Sequence, residues 1–272
     1  MTKPMITPSW DPAQYLRHAG HRARPFIDLL NRVPDPQDTT RPRIADLGCG
    51  PGNVTTLLAR RWPTAHITGY DNSPEMLDKA HTDHAGPTPG GGRLDFADAD
   101  ARTWTPEEPY DLIISNATLQ WVPGHADRFA DWTGALAPGG TLAFQVPGNF
   151  DSPSHRLMRE IAHSARWKDR LGDTLRHADA ILAPAAYLER LTALGRTADV
   201  WETTYLHLLV GEDPVLDWVK GTGLRPVLTE LGEDADDFLT EYRAELRRAY
   251  PPTAHGTVFP FRRVFAVATK EA

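Results

Sequence analysis

An aspartate followed at once by spaced glycines, Asp46-Leu47-Gly48-Cys49-Gly50-Pro51-Gly52, is the stretch of this chain with the most chemistry in it. Glycines let a backbone approach a ligand with no Cβ in the way, and a helix that follows points free N–H groups at it. A loop that holds a dinucleotide spaces its glycines G-x-G-x-x-G and keeps its acidic residue for the end of the next strand. Here the spacing is G-x-G-x-G, and Asp46 directly precedes it. An anion beside the loop suits the ammonium of an amino acid better than a pyrophosphate. Asp71, in Gly69-Tyr70-Asp71-Asn72-Ser73-Pro74, closes the next apolar run and can accept both hydroxyls of a ribose. Together these residues describe a nucleoside with a cationic amino-acid tail. The loop alone leaves two other readings open, a tight turn with no ligand and a dinucleotide site.

These residues need a scaffold of strands that end where they sit. Short apolar runs at Ile44–Leu47, His66–Tyr70, Leu94–Phe96, Asp111–Ser115 and Thr141–Val146 predict five strands. Helical segments are expected between them at Val54–Arg61, Pro74–Ala80 and Arg128–Leu136, the last stopped by Ala137-Pro138-Gly139-Gly140. Strands alternating with helices predict an α/β fold with a parallel sheet. The Pro- and Gly-rich stretch Gly86–Gly92 reads as a surface loop, and Ala13–Asn31 as a leading helix or helix pair. Beyond Val146 the rhythm changes. Ser154–Leu194 reads as mainly helical, Val200–Leu209 as β-prone, Pro214–Gly221 and Ala235–Ala249 as helical, and Val264–Ala268 as a final strand.

Composition narrows the function classes. A formal net charge of −7 over 272 residues offers no broad basic face for nucleic acid or anionic membrane. A single cysteine, Cys49, excludes an internal disulfide framework, and no signal-like start precedes the polar first residues, so a cytoplasmic location is expected. His18 and His21 stand close together, but no further set of ligands has metal-site spacing, and no metal is expected.

The glycine loop with Asp46 and Asp71 resembles the cofactor motifs of the class I, Rossmann-like S-adenosylmethionine methyltransferases. The resemblance implies a seven-stranded, mostly parallel sheet with helices on both faces and a helical insertion or lid. It places Asp100 and Ala101, in Asp98-Ala99-Asp100-Ala101, at the adenine edge, and Asn116, after Asp111–Ser115, against the methionine portion. It extends the cofactor set to Tyr15, Arg24, Gly48, Cys49, Gly50, Asn72, Met76 and Leu119, with Cys49 a small packed residue rather than a nucleophile.

A closer similarity is to the trans-aconitate methyltransferases. It is carried by Trp10-Asp11-Pro12 with Tyr15, Arg22-Ala23-Arg24-Pro25, Ser115–Pro123, Gln145–Phe150, Pro153-Ser154-His155, Thr222–Pro226 and Phe259–Arg263. It implies a single domain: an N-terminal helical lid over 1–42, a cofactor-binding core over 43–150, a helical insertion and substrate cap over 151–263, and a last strand over 264–272. It also implies O-methylation of a small polycarboxylic acid, trans-aconitate first, to the monomethyl ester, with S-adenosylhomocysteine as the other product; a monomer and a homodimer both stay open.

A carboxylate is ionised at neutral pH and needs no general base to attack a sulfonium methyl. Catalysis then rests on positioning and water exclusion, expected from Gln120, Trp121, Gln145, Asn149 and His155. The acid itself is expected to meet Arg262 and Arg263 as a guanidinium clamp, Arg225, and Trp10, His21, Arg22, Trp121, Gln145, Asn149 and His155. A phenol, amine or natural-product acceptor on the same fold, and a cofactor-sensing module without catalysis, are the alternatives.

Overall fold

The computed structural model of the protein describes residues 19–37, 40–172, 174–175 and 180–272, with side chains from Ala23 onward. In chain order the helices and strands are α1 (Ala19–Leu30), β1 (Arg43–Leu47), α2 (Thr55–Arg61), β2 (His66–Asp71), α3 (Pro74–His84), β3 (Gly86–Pro87), β4 (Arg93–Asp98), β5 (Tyr110–Asn116), α4 (Phe129–Gly134), β6 (Leu136–Pro147), α5 (Pro153–Ala162), α6 (Lys168–Leu171), α7 (Pro184–Ala193), β7 (Thr197–Leu209), α8 (Pro214–Lys220), α9 (Arg225–Leu231), α10 (Ala235–Ala249) and β8 (Thr257–Thr269). Two compact units divide the described chain. One is drawn from 19–147, 180–203 and 263–272, the other from 148–179 and 204–262.

The first unit is built on the sheet, whose strand order is β3-β4-β2-β1-β5-β6-β8-β7. The pairs β1 with β2, β1 with β5, β2 with β4 and β5 with β6 are parallel. The inner strands β1 and β5 are buried nearly end to end, over Ile44–Leu47 and Leu112–Asn116, as strands covered on both faces are. Ile44, Ile113, Ile114 and Phe144 are buried completely. Because β1 has β2 on one side and β5 on the other, the chain reverses its direction of winding there. In open parallel sheets, the carboxyl ends of the strands beside such a topological switch are where ligands bind. Asp71, Asp98 and Asn116 end their strands on that side.

Eight strands replace the expected seven. The extra one, β3, lies within the stretch expected to be a plain loop, and pairs antiparallel with β4 through Gly86–Leu94 and Pro87–Arg93. A turn closed by Thr88 N–H to Gly92 O at 3.0 Å folds it back, and proline is tolerated because β3 is an edge. The segment expected to be helical to Leu136 also ends earlier. Here α4 stops at Gly134, and Leu136 already pairs with Tyr110 across an irregularity in the β5–β6 register, so Ala137–Gly140 belongs to a strand. The last strand, β8, begins at Thr257 instead of Val264.

The second unit has its own core, in which Trp218, Phe238, Tyr242 and Phe259 are fully buried. Its helix α5 starts on a fixed point. Ser154 N–H donates to Tyr250 Oη at 3.0 Å and Tyr242 Oη donates to Ser154 O at 2.9 Å. Among the described residues no helix is long and apolar enough to cross a membrane.

Candidate cofactor and acceptor site

The glycine loop is held shut from below. Gly48 and Cys49 both donate backbone N–H to Tyr70 O, at 2.7 and 3.0 Å. Gly48 has φ +76°, and a Cβ there would stand 2.1 Å from Thr118 Oγ1. Gly50 differs. Its φ is +56°, yet a Cβ would meet no protein atom within 4 Å. One glycine is required by packing, and the other faces open space.

Asp46 is 1% exposed, and its Oδ2 accepts from Thr55 Oγ1 at 2.7 Å. Its Oδ1 is buried with no hydrogen-bond partner among the described residues. Burial pushes the carboxyl up to about 7, the Thr55 bond opposing and the nearby charge of Asp71 adding to the rise. A buried acceptor left over in this way fits a cationic donor brought by a ligand. Asp71 is anchored by backbone N–H groups, from Gly50 to Oδ2 at 2.8 Å and from Ser73 to Oδ1 at 3.0 Å. Burial raises its pKa while those bonds work the other way. The residues around the loop therefore fit a group with a ribose and a cationic tail.

Further along the strand ends, Asp100 is gripped by its neighbour Arg102, whose Nε lies 3.0 and 2.8 Å from the two carboxylate oxygens. The Arg102 bond, with a further one from Asn72, holds the Asp100 carboxyl below the usual carboxylate range despite partial burial. Ala101 is half-buried beside it, Met76 and Leu119 are buried, and Cys49 is 2% exposed with its thiol pushed far up by burial. Arg24 points to solvent from α1, 4.0 Å from Asp28. Tyr15 and Trp10 lie outside the described residues, as do the side chains of His21 and Arg22.

Residue by residue, β5, β6 and β8 bring three expected positions together. Asn116 is paired with Gln145 in the sheet, and Gln145 Nε2 donates to Asn116 Oδ1 at 2.5 Å. Arg263 Nη1 donates to Gln145 Oε1 at 3.3 Å from the other side. All three side chains are at least nine-tenths buried. Arg262 and Arg263, expected as one clamp, alternate along the strand and take different partners, with Arg262 Nη1 donating to Gly148 O at 3.0 Å. Gln120 is buried and donates to Ala117 O, and Trp121 is half-buried in the same turn.

In the second unit Asn149 Nδ2 lies 3.3 Å from His155 Nδ1. Ser154 Oγ is 3.2 Å from the same nitrogen. Asn149 and the Ser154 hydroxyl thus both meet the His155 ring at Nδ1, and Nε2 is the nitrogen turned away from them. His155 lines a small pocket with Phe150, Met158, Arg159, Leu175 and Gly223. Arg225 is half-buried at the first turn of α9. Among the described residues no cluster of histidine, cysteine and carboxylate side chains has metal-site geometry.

Residues 44–140 match a family model described as a methyltransferase domain. A trans-aconitate 2-methyltransferase of Streptomyces avermitilis is 79% identical over 271 residues, covering 99% of this chain and 100% of that protein. The chain belongs to the trans-aconitate 2-methyltransferase family. It is 45% identical over 262 residues to the trans-aconitate 2-methyltransferase of Mycobacterium tuberculosis, covering 95% of this chain and 96% of that one. A solved structure of phosphoethanolamine N-methyltransferase 2 from Haemonchus contortus with S-adenosyl-L-methionine superposes with a TM-score of 0.52. At 18% identity, covering 92% of this chain and 53% of the other, it shows the shared fold alone.

Some residues that hold these candidate positions carry no mark in the sequence. Thr55 holds Asp46 from nine residues away, and nothing in the spacing marks it. Thr118 fills the space that Gly48 leaves, and Ala117 before it adopts φ +56°, a strained conformation for a residue with a Cβ. Ser73 had a signal. Ser-Pro-Glu at a helix start is a capping pattern, and Ser73 Oγ accepts from Met76 N while its own N–H serves Asp71.

Proposed function

We propose that this chain transfers the methyl group of S-adenosylmethionine to a carboxylate of trans-aconitate, releasing S-adenosylhomocysteine and the monomethyl ester. The observation that carries the reading is the end-to-end identity with enzymes named for that reaction, at 79% over 99% of the chain. The site geometry supports it.

Bound S-adenosylmethionine supplies an electrophilic methyl on a sulfonium centre. Asp71 would accept the ribose hydroxyls, and Asp46 Oδ1 the ammonium, with Thr55 holding the other oxygen in place. Gly50 leaves room for the ligand at its Cα. Asp100, held by Arg102, would accept from the exocyclic amine of the adenine while the Ala101 N–H donates to the ring. On the acceptor side the nucleophile is already ionised, so no side chain has to take a proton. His155 would donate a ring N–H to a carboxylate oxygen, and Arg225 and Arg262 would supply charge for the remaining carboxylates. Small-molecule recognition of this kind needs neither nucleic acid nor membrane.

The test is a single-turnover assay with methyl-labelled S-adenosylmethionine against trans-aconitate, cis-aconitate, citrate and isocitrate, read as base-labile ester. Fastest labelling of trans-aconitate is expected. Cofactor binding without ester on any of the four acids would overturn the acceptor and leave the fold and cofactor in place.

A further inference from the structure

We propose that Arg263 is a positioning residue that sets the hydrogen-bond direction of Asn116, so that Asn116 offers its amide N–H2 to a carboxylate oxygen of the bound ligand. The proposal rests on the reading of the β5 end as the ligand side of a methyltransferase site.

The argument starts from what each side chain is able to do. Arginine has only donors, so the Gln145 atom that faces Arg263 has to be the carbonyl oxygen. The other end of the same amide then donates, and the Asn116 atom that receives it has to be Oδ1. That leaves Nδ2, with its two N–H groups, as the face Asn116 turns away from Gln145. A permanently charged, donor-only group at one end thus removes the ambiguity of two amides in series.

The sheet supplies the geometry. Asn116 and Gln145 are register partners on β5 and β6, and Arg263 on β8 is the partner of Pro147, two residues along from Gln145. Residues two apart on a strand share a face, so Arg263 lies diagonally across from Gln145. The distances are 3.3 Å from Arg263 Nη1 to Gln145 Oε1 and 2.5 Å from Gln145 Nε2 to Asn116 Oδ1. Gln145 is 1% exposed, so water is not there to compete for either bond. A donor at Asn116 needs an acceptor opposite. Carboxylate oxygens are the anionic acceptors this reaction brings, on the amino-acid tail of the cofactor and on the acid.

Gln145→Glu tests this directly. A carboxylate still pairs with Arg263 but cannot donate, so Asn116 has to turn its amide over and present Oδ1 to the ligand. With wild-type enzyme first shown to form the ester, Gln145→Glu is expected to weaken one ligand about 10- to 100-fold, the worth of one hydrogen bond to a charged group. A higher Kd for S-adenosylhomocysteine identifies the cofactor tail as the acceptor. A higher KM for trans-aconitate at saturating cofactor identifies the acid.

Asn116→Asp leaves the Gln145–Arg263 bond intact and puts an acceptor in place of the donor, so it should lose as much. Arg263→Lys, donor-only like arginine, should lose less than Arg263→Gln, which can either donate or accept. That ordering separates a directional role from simple support of the fold, which thermal unfolding of each variant reports independently. If Gln145→Glu and Asn116→Asp both fold and both keep wild-type Kd and KM, the proposal is wrong. An inactive wild type would instead overturn the proposed function.

Discussion

The backbone N–H of Gly50 donates to Oδ2 of Asp71 at 2.8 Å, tying the glycine loop after β1 to the carboxylate that ends β2. In the proposed function, the residue assigned to the ribose thus also holds the loop assigned to the rest of the cofactor. Asp71→Asn retains an acceptor but replaces one oxygen by an amide that faces a backbone N–H. Both Asp71→Asn and Asp71→Ala should therefore weaken S-adenosylhomocysteine by 100-fold or so, the loss of two charge-assisted bonds at about 1.5 kcal/mol each. Titration calorimetry checks this, and unchanged affinity would remove Asp71 from the ribose.

The two glycines of the loop predict different failures. Gly48→Ala forces a Cβ onto Thr118 and should unfold at a clearly lower temperature. Gly50→Ala meets no protein atom, so its stability cost is confined to the left-handed backbone, about 1 kcal/mol. It should nonetheless lose cofactor affinity, because its methyl occupies the ligand's side. Paired thermal melts and binding titrations distinguish them, and a Gly50→Ala variant that binds normally would place the ligand elsewhere.

Asp46 gives a pH dependence with a definite sign. Its carboxyl sits at about 7 in the folded protein against an ordinary value of 3.8. Between those values the folded state holds a proton that the unfolded state has lost, so stability falls as pH rises through the window. At about 1.4 kcal/mol per pH unit the full cost of ionising Asp46 is on the order of 4 kcal/mol. Ligand-free Asp46→Asn should then melt higher than wild type at pH 8, with the gain shrinking towards pH 4. The ammonium of the ligand needs the ionised form. Affinity for S-adenosylhomocysteine should therefore drop by up to tenfold per pH unit below pH 7 in wild type, and a flat profile would contradict the ammonium assignment.

Turnover itself should lack such a step. With an ionised acceptor and no general base, kcat at saturating substrates is expected to stay level between pH 7.5 and 9. His155→Ala should raise the KM of trans-aconitate about tenfold, one hydrogen bond's worth, while leaving the Kd of S-adenosylhomocysteine alone. A kcat that climbs with a basic pKa and vanishes in His155→Ala would mean that His155 takes a proton, and that the acceptor is not a carboxylate.

Local pattern was enough to read the α/β class and most strands, and to mark the glycine loop, Asp46, Asp71 and Asp100 as candidate positions. Each of these depends on residues a few positions apart: apolar runs make buried strands, and a loop needing positive φ has to spell glycine. Pattern also misled where composition and pairing disagree, as at Gly86–Pro87, whose loop-like residues join the sheet because β4 offers a free edge. What tertiary structure alone decided is who meets whom across the fold. Thr55 under Asp46, Thr118 against Gly48, and the line from Arg263 through Gln145 to Asn116 each join residues on different elements. The sequence marked Arg262 and Arg263 as two adjacent cations, and the alternation of a β-strand sent them to different partners. Sequence spacing carries the chemistry of neighbours along the chain, while strand register and face decide which of those groups end up in contact.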